Sequence, residues 1–206
     1  MRLFPNLQRS KLIDYLIEFI IVLAGVYFGM ILSDWSHEAQ TVKDRNKALE
    51  GIRNELMVNK EEVEKLDASR DPFIKTYDSL KSTLTSEKLD EKFFDQPLSI
   101  RLPNWRGIGS FNPRHSIFDA AKSSDVFIGM DLELLGQISQ AYNYQKDIYE
   151  IRNLYLEKFL NFNSETEYKE AVILIDQIRQ DLWGSQYLLI AKYEKVIGLI
   201  DEELDR

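Results

Sequence analysis

The stretch LIEFIIVLAGVYFGMILSDW, Leu16 to Trp35, constrains this chain more than any other. From Phe19 to Leu32 fourteen consecutive residues carry no charge. The flanking Leu12–Glu18 and Ser33–Trp35 extend the run to a length that crosses a bilayer. Tyr15 and Trp35 stand twenty residues apart, roughly 30 Å along a helix. That matches the hydrocarbon thickness, and both are residue types that favour the interface. A buried core helix is one alternative, but a segment apolar on every face is better explained by lipid. A cleaved signal peptide is the sharper rival, because Val22-Leu23-Ala24 has the small-residue character of a cleavage site. The apolar run continues eight residues past Ala24, which a mature N-terminus does not need. The expectation is an anchor.

Two acids, Asp14 and Glu18, sit at the start of this run. On a helix they share one stripe with Gly25 and Gly29, spaced by four, seven and four residues. Gly25 to Gly29 is a GxxxG motif, in which paired glycines let two helix backbones approach closely. Three roles stay open for Glu18. It pairs with Arg9 or Lys11 of a neighbouring copy, it handles a proton or ion in a pore, or it snorkels to the headgroups. The pore reading expects Glu18→Gln to abolish conductance and leave assembly intact.

Charge sets the orientation and excludes some functions. Residues 1–33 carry a net +1 of the chain's −8, leaving −9 for residues 34–206. So acidic a domain with no basic cluster argues against nucleic acid. Arg2, Arg9 and Lys11 flank the start of the run, while Ser33–Val42 holds no Lys or Arg. The positive-inside rule then places the N-terminus in the cytoplasm and the bulk of the chain outside, against the pull of Lys43, Arg45 and Lys47. The chain has no cysteine, which excludes disulfides, thiolate metal sites and a cysteine nucleophile.

The expected organisation is a basic cytoplasmic N-terminus at 1–11, a transmembrane helix at 12–35 and a helical-bundle domain at 36–206. No Gly or Pro interrupts Ser36 to Glu50, so the membrane helix continues outward. From Leu49 a heptad appears in Leu49, Ile52, Leu56, Asn59, Val63, Leu66, Arg70, Phe73, Tyr77, Leu80 and Leu84. Spacings of three and four mark a helix packed on other helices. Asn59 and Arg70 are polar residues at seam positions, a pattern that fixes register at some cost in stability. Pro72 is expected to kink this helix.

Beyond it, Ser116–Lys122 reads as a short helix with Ile117, Phe118 and Ala121 inward. Asp131 caps a long helix carrying Leu132, Leu135, Ile138, Ala141, Tyr142, Ile148, Tyr149, Leu154 and Tyr155. Asn163 or Ser164 is expected to cap the last helix, with Glu167 three residues after Ser164 as a capping box, and its stripe is Ala171, Ile175, Ile178, Leu182, Leu189, Tyr193, Val196 and Ile200. The fold class is all-α: a single N-terminal transmembrane helix continuing into an elongated antiparallel bundle.

Residues 95–115, DQPLSIRLPNWRGIGSFNPRH, form the one long irregular connection. Trp105, Arg106, Arg114 and His115 make it either a binding loop for an acidic ligand or a lid over the bundle. His37 and His115 have no partner at metal-ligand spacing. No nucleophile elbow, phosphate-binding glycine loop or dinucleotide fingerprint occurs. The acidic runs at 61–64 and 201–203 read as solvated helix faces. No catalytic residue, metal or cofactor is expected, and the chain reads as a non-enzyme.

Two blocks carry a resemblance. DYLIEFIIVLAGVYFGMILSDW followed by RNELMVNK resembles uncharacterised bacterial single-pass membrane proteins classed as domains of unknown function. Their N-terminal helix shows a Glu, an apolar run with a central Gly and a Trp at the exit, here Glu18, Gly25 and Trp35. SIFDAAKSSDVFIGMDLELLGQISQAY, Ser116 to Tyr142, is similar to their later segment, though many members carry a glycine where this chain has Asp125. The resemblance implies the architecture and brings no activity; together with the orientation from the positive-inside rule, the expected location is a bacterial inner membrane with the bundle periplasmic. The expected role is an oligomeric scaffold or sensory module contacting membrane lipid, a second copy and a protein partner. Ion conduction through Glu18 and ligand binding at the 95–115 loop are the alternatives.

Overall fold

The computed structural model describes the backbone of residues 6–206 and side chains from Tyr15 onward. The expected basic segment 1–11 and the Asp14 carboxylate therefore lie outside the described residues or side chains. The fold is all-α, and its first helix, α1 (Asn6–Ser82), carries both the apolar run and the heptad. Two compact units are present, residues 1–47 and Ala48–Arg206.

In the first unit the side chains from Tyr15 to Trp35 are exposed, apart from the partly covered Ala24 and Ile31. None of its most apolar window is buried, and the helix is long and apolar enough to cross a membrane.

The second unit has its own core. The heptad of α1 is buried as its spacing predicts: Leu49, Ile52, Leu56, Val63, Phe73 and Tyr77 are enclosed, with Leu66 and Leu80 partly so, while Leu84 falls past the helix end at Ser82. The helix continues through Pro72, where the Thr76 hydroxyl donates to the Pro72 carbonyl at 2.6 Å. A connection follows through α2 (Ser86–Leu89), a 3-10 turn at Phe93–Asp95 and α3 (Leu98–Arg101). It reaches α4 (Ser116–Lys122) and then a 3-10 turn at Asp125–Phe127. The long α5 (Leu132–Leu160) starts where the Asp131 side chain accepts the Glu133 N–H, the expected cap. A last stretch runs as α6 (Tyr168–Gln177), a π-helical turn at Ile178–Trp183 and α7 (Gly184–Leu204).

Side-chain pairs give the directions of the helices. Lys60 meets Glu194, Arg70 meets Gln186 and Arg179 meets Asp78, so the last stretch runs antiparallel to α1. Tyr193 meets Gln145 and Tyr155 meets Asp181, so it is antiparallel to α5 as well. Glu55 with Tyr142 and Asn59 with Gln145 advance together, so α1 and α5 run in the same direction. The chain between residues 83 and 131 makes that parallel pairing feasible by returning along the bundle, as parallel neighbours require.

Three local expectations change. Leu132, Tyr149 and Leu154 of the expected α5 stripe are exposed, and the buried stripe runs through Leu134, Ile138, Ala141, Tyr142, Gln145, Ile148 and Tyr155. Ile117 stays 42% exposed, although its Cγ2 lies close over Gly51 of α1, 2.9 Å from where a Cβ there would stand. No capping box forms at the last helix: Asn163 Oδ1 accepts the Glu165 N–H at 2.8 Å, and α6 begins after an antiparallel bridge of Lys92 with Glu167. The last stripe, from Ala171 to Ile200, is buried throughout, and it stays in register across the π-turn, which places Leu182 and Trp183 inside together.

Five tyrosines in this unit have their phenol pKa pushed up. Burial does this first for Tyr77, Tyr142, Tyr155, Tyr168 and Tyr193, helped by Asp176 at Tyr77, Glu55 at Tyr142 and Asp181 at Tyr155. Tyr155 reaches about 12. A folded pKa above the unfolded value means stability present in full below about pH 10 and lost as pH rises through the folded values. Each such tyrosine steepens the loss by about 1.4 kcal/mol per pH unit. Between pH 10 and 12 the part of the 295 nm phenolate absorbance that belongs to these five of the chain's ten tyrosines should therefore rise together with loss of helical circular dichroism. Ionisation of all ten tyrosines well before unfolding would contradict this burial.

Candidate functional site

On the apolar helix, Glu18, Gly25 and Gly29 are exposed, and a Cβ added to either glycine would meet nothing within 4 Å. The face is thus open for a second backbone to approach. Tyr15 and Trp35 are also exposed, at the two ends of the run.

The irregular connection does not gather its four expected residues. Trp105 is half-buried and packs edge-on to Phe73 at 4.9 Å between ring centroids, with Phe159 and Trp183 beyond. Arg106, Arg114 and His115 are exposed. His115 Nδ1 lies 2.6 Å from Asp119 Oδ2, beside an open cavity of about 500 Å³ over α4 and α5. Arg101, Leu102, Ile108 and Phe111 are buried, so the segment packs on the bundle as a lid through these residues while most of its others stay exposed. Arg101 holds its start: its guanidinium donates to the Lys92 carbonyl at 3.0 Å, pairs with Glu91 at 2.8 Å and lies over Tyr168.

Two polar nodes fasten the lid and α4 to the bundle. Glu55 is 5% exposed, accepts the Tyr142 hydroxyl at 2.6 Å and accepts the Ile117 N–H at 2.9 Å, so it caps α4 from α1. A carboxylate suits this helix start because the first N–H groups have no partner within the helix. Asn59 is fully buried and satisfies the Arg114 peptide on both sides. Its Oδ1 accepts the Arg114 N–H and its Nδ2 donates to the Arg114 carbonyl, each at 2.8 Å. Gln145 Nε2 also donates to that carbonyl, and Gln145 Oε1 accepts from Asn59 and from the Tyr193 hydroxyl at 2.5 Å.

A third polar position, Arg70, borders a cavity of about 180 Å³ together with Trp105, Arg106 and Trp183. The sequence marked Arg70 as a seam interruption and Trp105 and Arg106 as loop residues, without joining them. Only the π-turn, which swings Trp183 inward, completes the group.

Among the described residues no cluster of three or more His, Asp or Glu side chains could hold a metal ion. Searches of protein-family models, curated proteins and solved structures match nothing to this chain.

Proposed function

We propose that the chain is a membrane-anchored helical module that works by contact, as a scaffold or sensor, with its N-terminus cytoplasmic and its bundle extracytoplasmic in a bacterial inner membrane. The observation that carries this reading is a contrast within the chain. The apolar side chains of residues 15–35 have no protein to cover them, while the second unit encloses its own apolar residues from Leu49 to Ile200. Lipid is the environment in which so long an apolar helix stays soluble without packing. Self-association through Glu18, Gly25 and Gly29 follows from the open face at both glycines, where two backbones gain close contact.

The full chain expressed in a bacterium should stay with the membrane after alkaline carbonate washing and keep its residues 16–35. Recovery in the soluble fraction, or a mature chain starting after Ala24, would sink the anchor. Crosslinking in membranes should report dimers or larger assemblies, lost in the Gly25→Leu/Gly29→Leu double variant. Unchanged crosslinking in that variant would remove the oligomer from the proposal.

A further inference from the structure

The open cavity of about 500 Å³ over α4 and α5 has a floor that is fixed before anything enters it. Phe118 and Tyr142 stack there, with 4.1 Å between ring centroids and 4° between ring planes. Glu55 ties the two helices that carry them, accepting the Tyr142 hydroxyl and the Ile117 N–H. Asn112 and Pro113 of the lid also border the cavity, and the Arg114 peptide that follows is held by Asn59 and Gln145. Gln145 lies at the floor too, but its amide is fully engaged by Arg114, Asn59 and Tyr193. Tyr149, 38% exposed, adds a third ring at the wall.

The charges at this cavity run against those of the domain around it. Residues 34–206 carry a net −9, yet Lys122, Lys146 and His115 border the cavity, with Asp119 the one carboxylate among its described lining residues. That carboxylate is already held by His115 Nδ1 at 2.6 Å. Lys122 Nζ lies 5.3 Å from the Phe118 ring centroid, and among the described residues no carboxylate pairs with it. Lys146 faces Glu150 one turn along α5 at 3.7 Å, an exposed pair that holds the ammonium weakly. The cavity therefore offers two ammonium groups to an incoming acid, beside rings that no polar group of the floor covers.

We propose that this cavity binds an aromatic organic anion, its acid group taken by Lys122 and Lys146 and its ring laid against Phe118, Tyr142 and Tyr149. An ammonium acts as a point charge, so a carboxylate and a phosphate are both accommodated. Exposed ion pairs contribute little by themselves, and the aromatic walls supply the remaining contact. The volume lies within the range of about 300–1,000 Å³ typical of small-ligand sites. A cation would find one carboxylate, already engaged by His115. This inference is independent of how the apolar helix associates.

The test is calorimetry on the full chain in detergent, with detergent alone as the blank. The probes are 2-naphthoate, 1-naphthyl phosphate, the neutral 2-naphthamide and acetate. At least one naphthyl anion should bind saturably at one site per chain, and the tighter of the two identifies the acid group. The neutral amide should bind about tenfold weaker, the worth of two partly exposed ion pairs. Acetate, which has no ring, should bind weaker still. Lys122→Gln/Lys146→Gln should weaken anion binding about tenfold and Tyr149→Ala about fivefold. All three side chains are exposed, so these changes leave the fold intact. Lys75→Gln, at an exposed lysine outside the cavity, should leave the affinity unchanged. Amide or acetate binding as tight as that of the anions would overturn the proposal, as would an equal loss in Lys75→Gln. So would unchanged affinity in the double lysine variant or in Tyr149→Ala, or no saturable binding of either anion up to the order of 10 mM.

Discussion

Glu55→Ala should destabilise the bundle by about 3–4 kcal/mol, because it strands the Tyr142 hydroxyl and the first N–H groups of α4 in a buried site. Each unfilled buried donor costs about 1–3 kcal/mol, and Glu55 itself is only 5% exposed. In thermal melting of the full chain in detergent the midpoint should fall by roughly 10 °C. Glu55→Gln keeps an acceptor for Tyr142 and should recover most of that loss. A melting curve for Glu55→Ala within a degree or two of the native chain would show that Glu55 does not hold α4. The same variant should expose the end of the lid, since Ser116 and Ile117 directly follow Arg114 and His115 in the chain.

Asn59→Leu separates two physical expectations of opposite sign. By pattern alone it completes an apolar heptad between Leu56 and Val63 and should stabilise the helix packing. In the folded protein Asn59 is the partner of the Arg114 N–H and carbonyl and of Gln145. Removing it leaves a peptide of the irregular lid unfilled on its N–H side and takes a donor from Gln145 Oε1, at about 2–4 kcal/mol. Urea unfolding followed by circular dichroism should therefore show a lower midpoint than the native chain. A higher midpoint would mean that water replaces Asn59 without cost and that the lid is not pinned there.

These two residues also show where sequence reading ends. The heptad from Leu49 to Leu84 and the stripe from Ala171 to Ile200 were legible because a helix presents every third or fourth residue to one side. The start of α5 was readable from Asp131, a residue whose side chain caps locally. The inward face of its first turn was not, because Leu132 and Leu134 are equally apolar and neighbours far along the chain choose between them. The start of the last helix was misread for a similar reason. Ser164 and Glu167 have the spacing of a box, but the backbone there bridges to Lys92, a contact across 75 positions. Within the candidate sites, Glu18, Gly25 and Gly29 needed only helical geometry to share a stripe. Trp105 and Arg106 could be named as loop residues, yet their neighbour Arg70 could not be assigned to them.

Sequence alone determined the all-α class, the long apolar N-terminal helix and most of the apolar faces of the long helices. Those properties are periodic and local, set by burial tendencies that repeat along one helix. The tertiary structure decided that α1 and α5 run in the same direction, and that the 95–115 segment is a packed lid. It also brought Arg70, Trp105, Arg106 and Trp183 together around one cavity. Direction and cavity depend on contacts between residues 86 to 116 positions apart, such as Asn59 with Gln145 and Arg70 with Gln186, and no periodicity along the chain encodes which distant side chains meet.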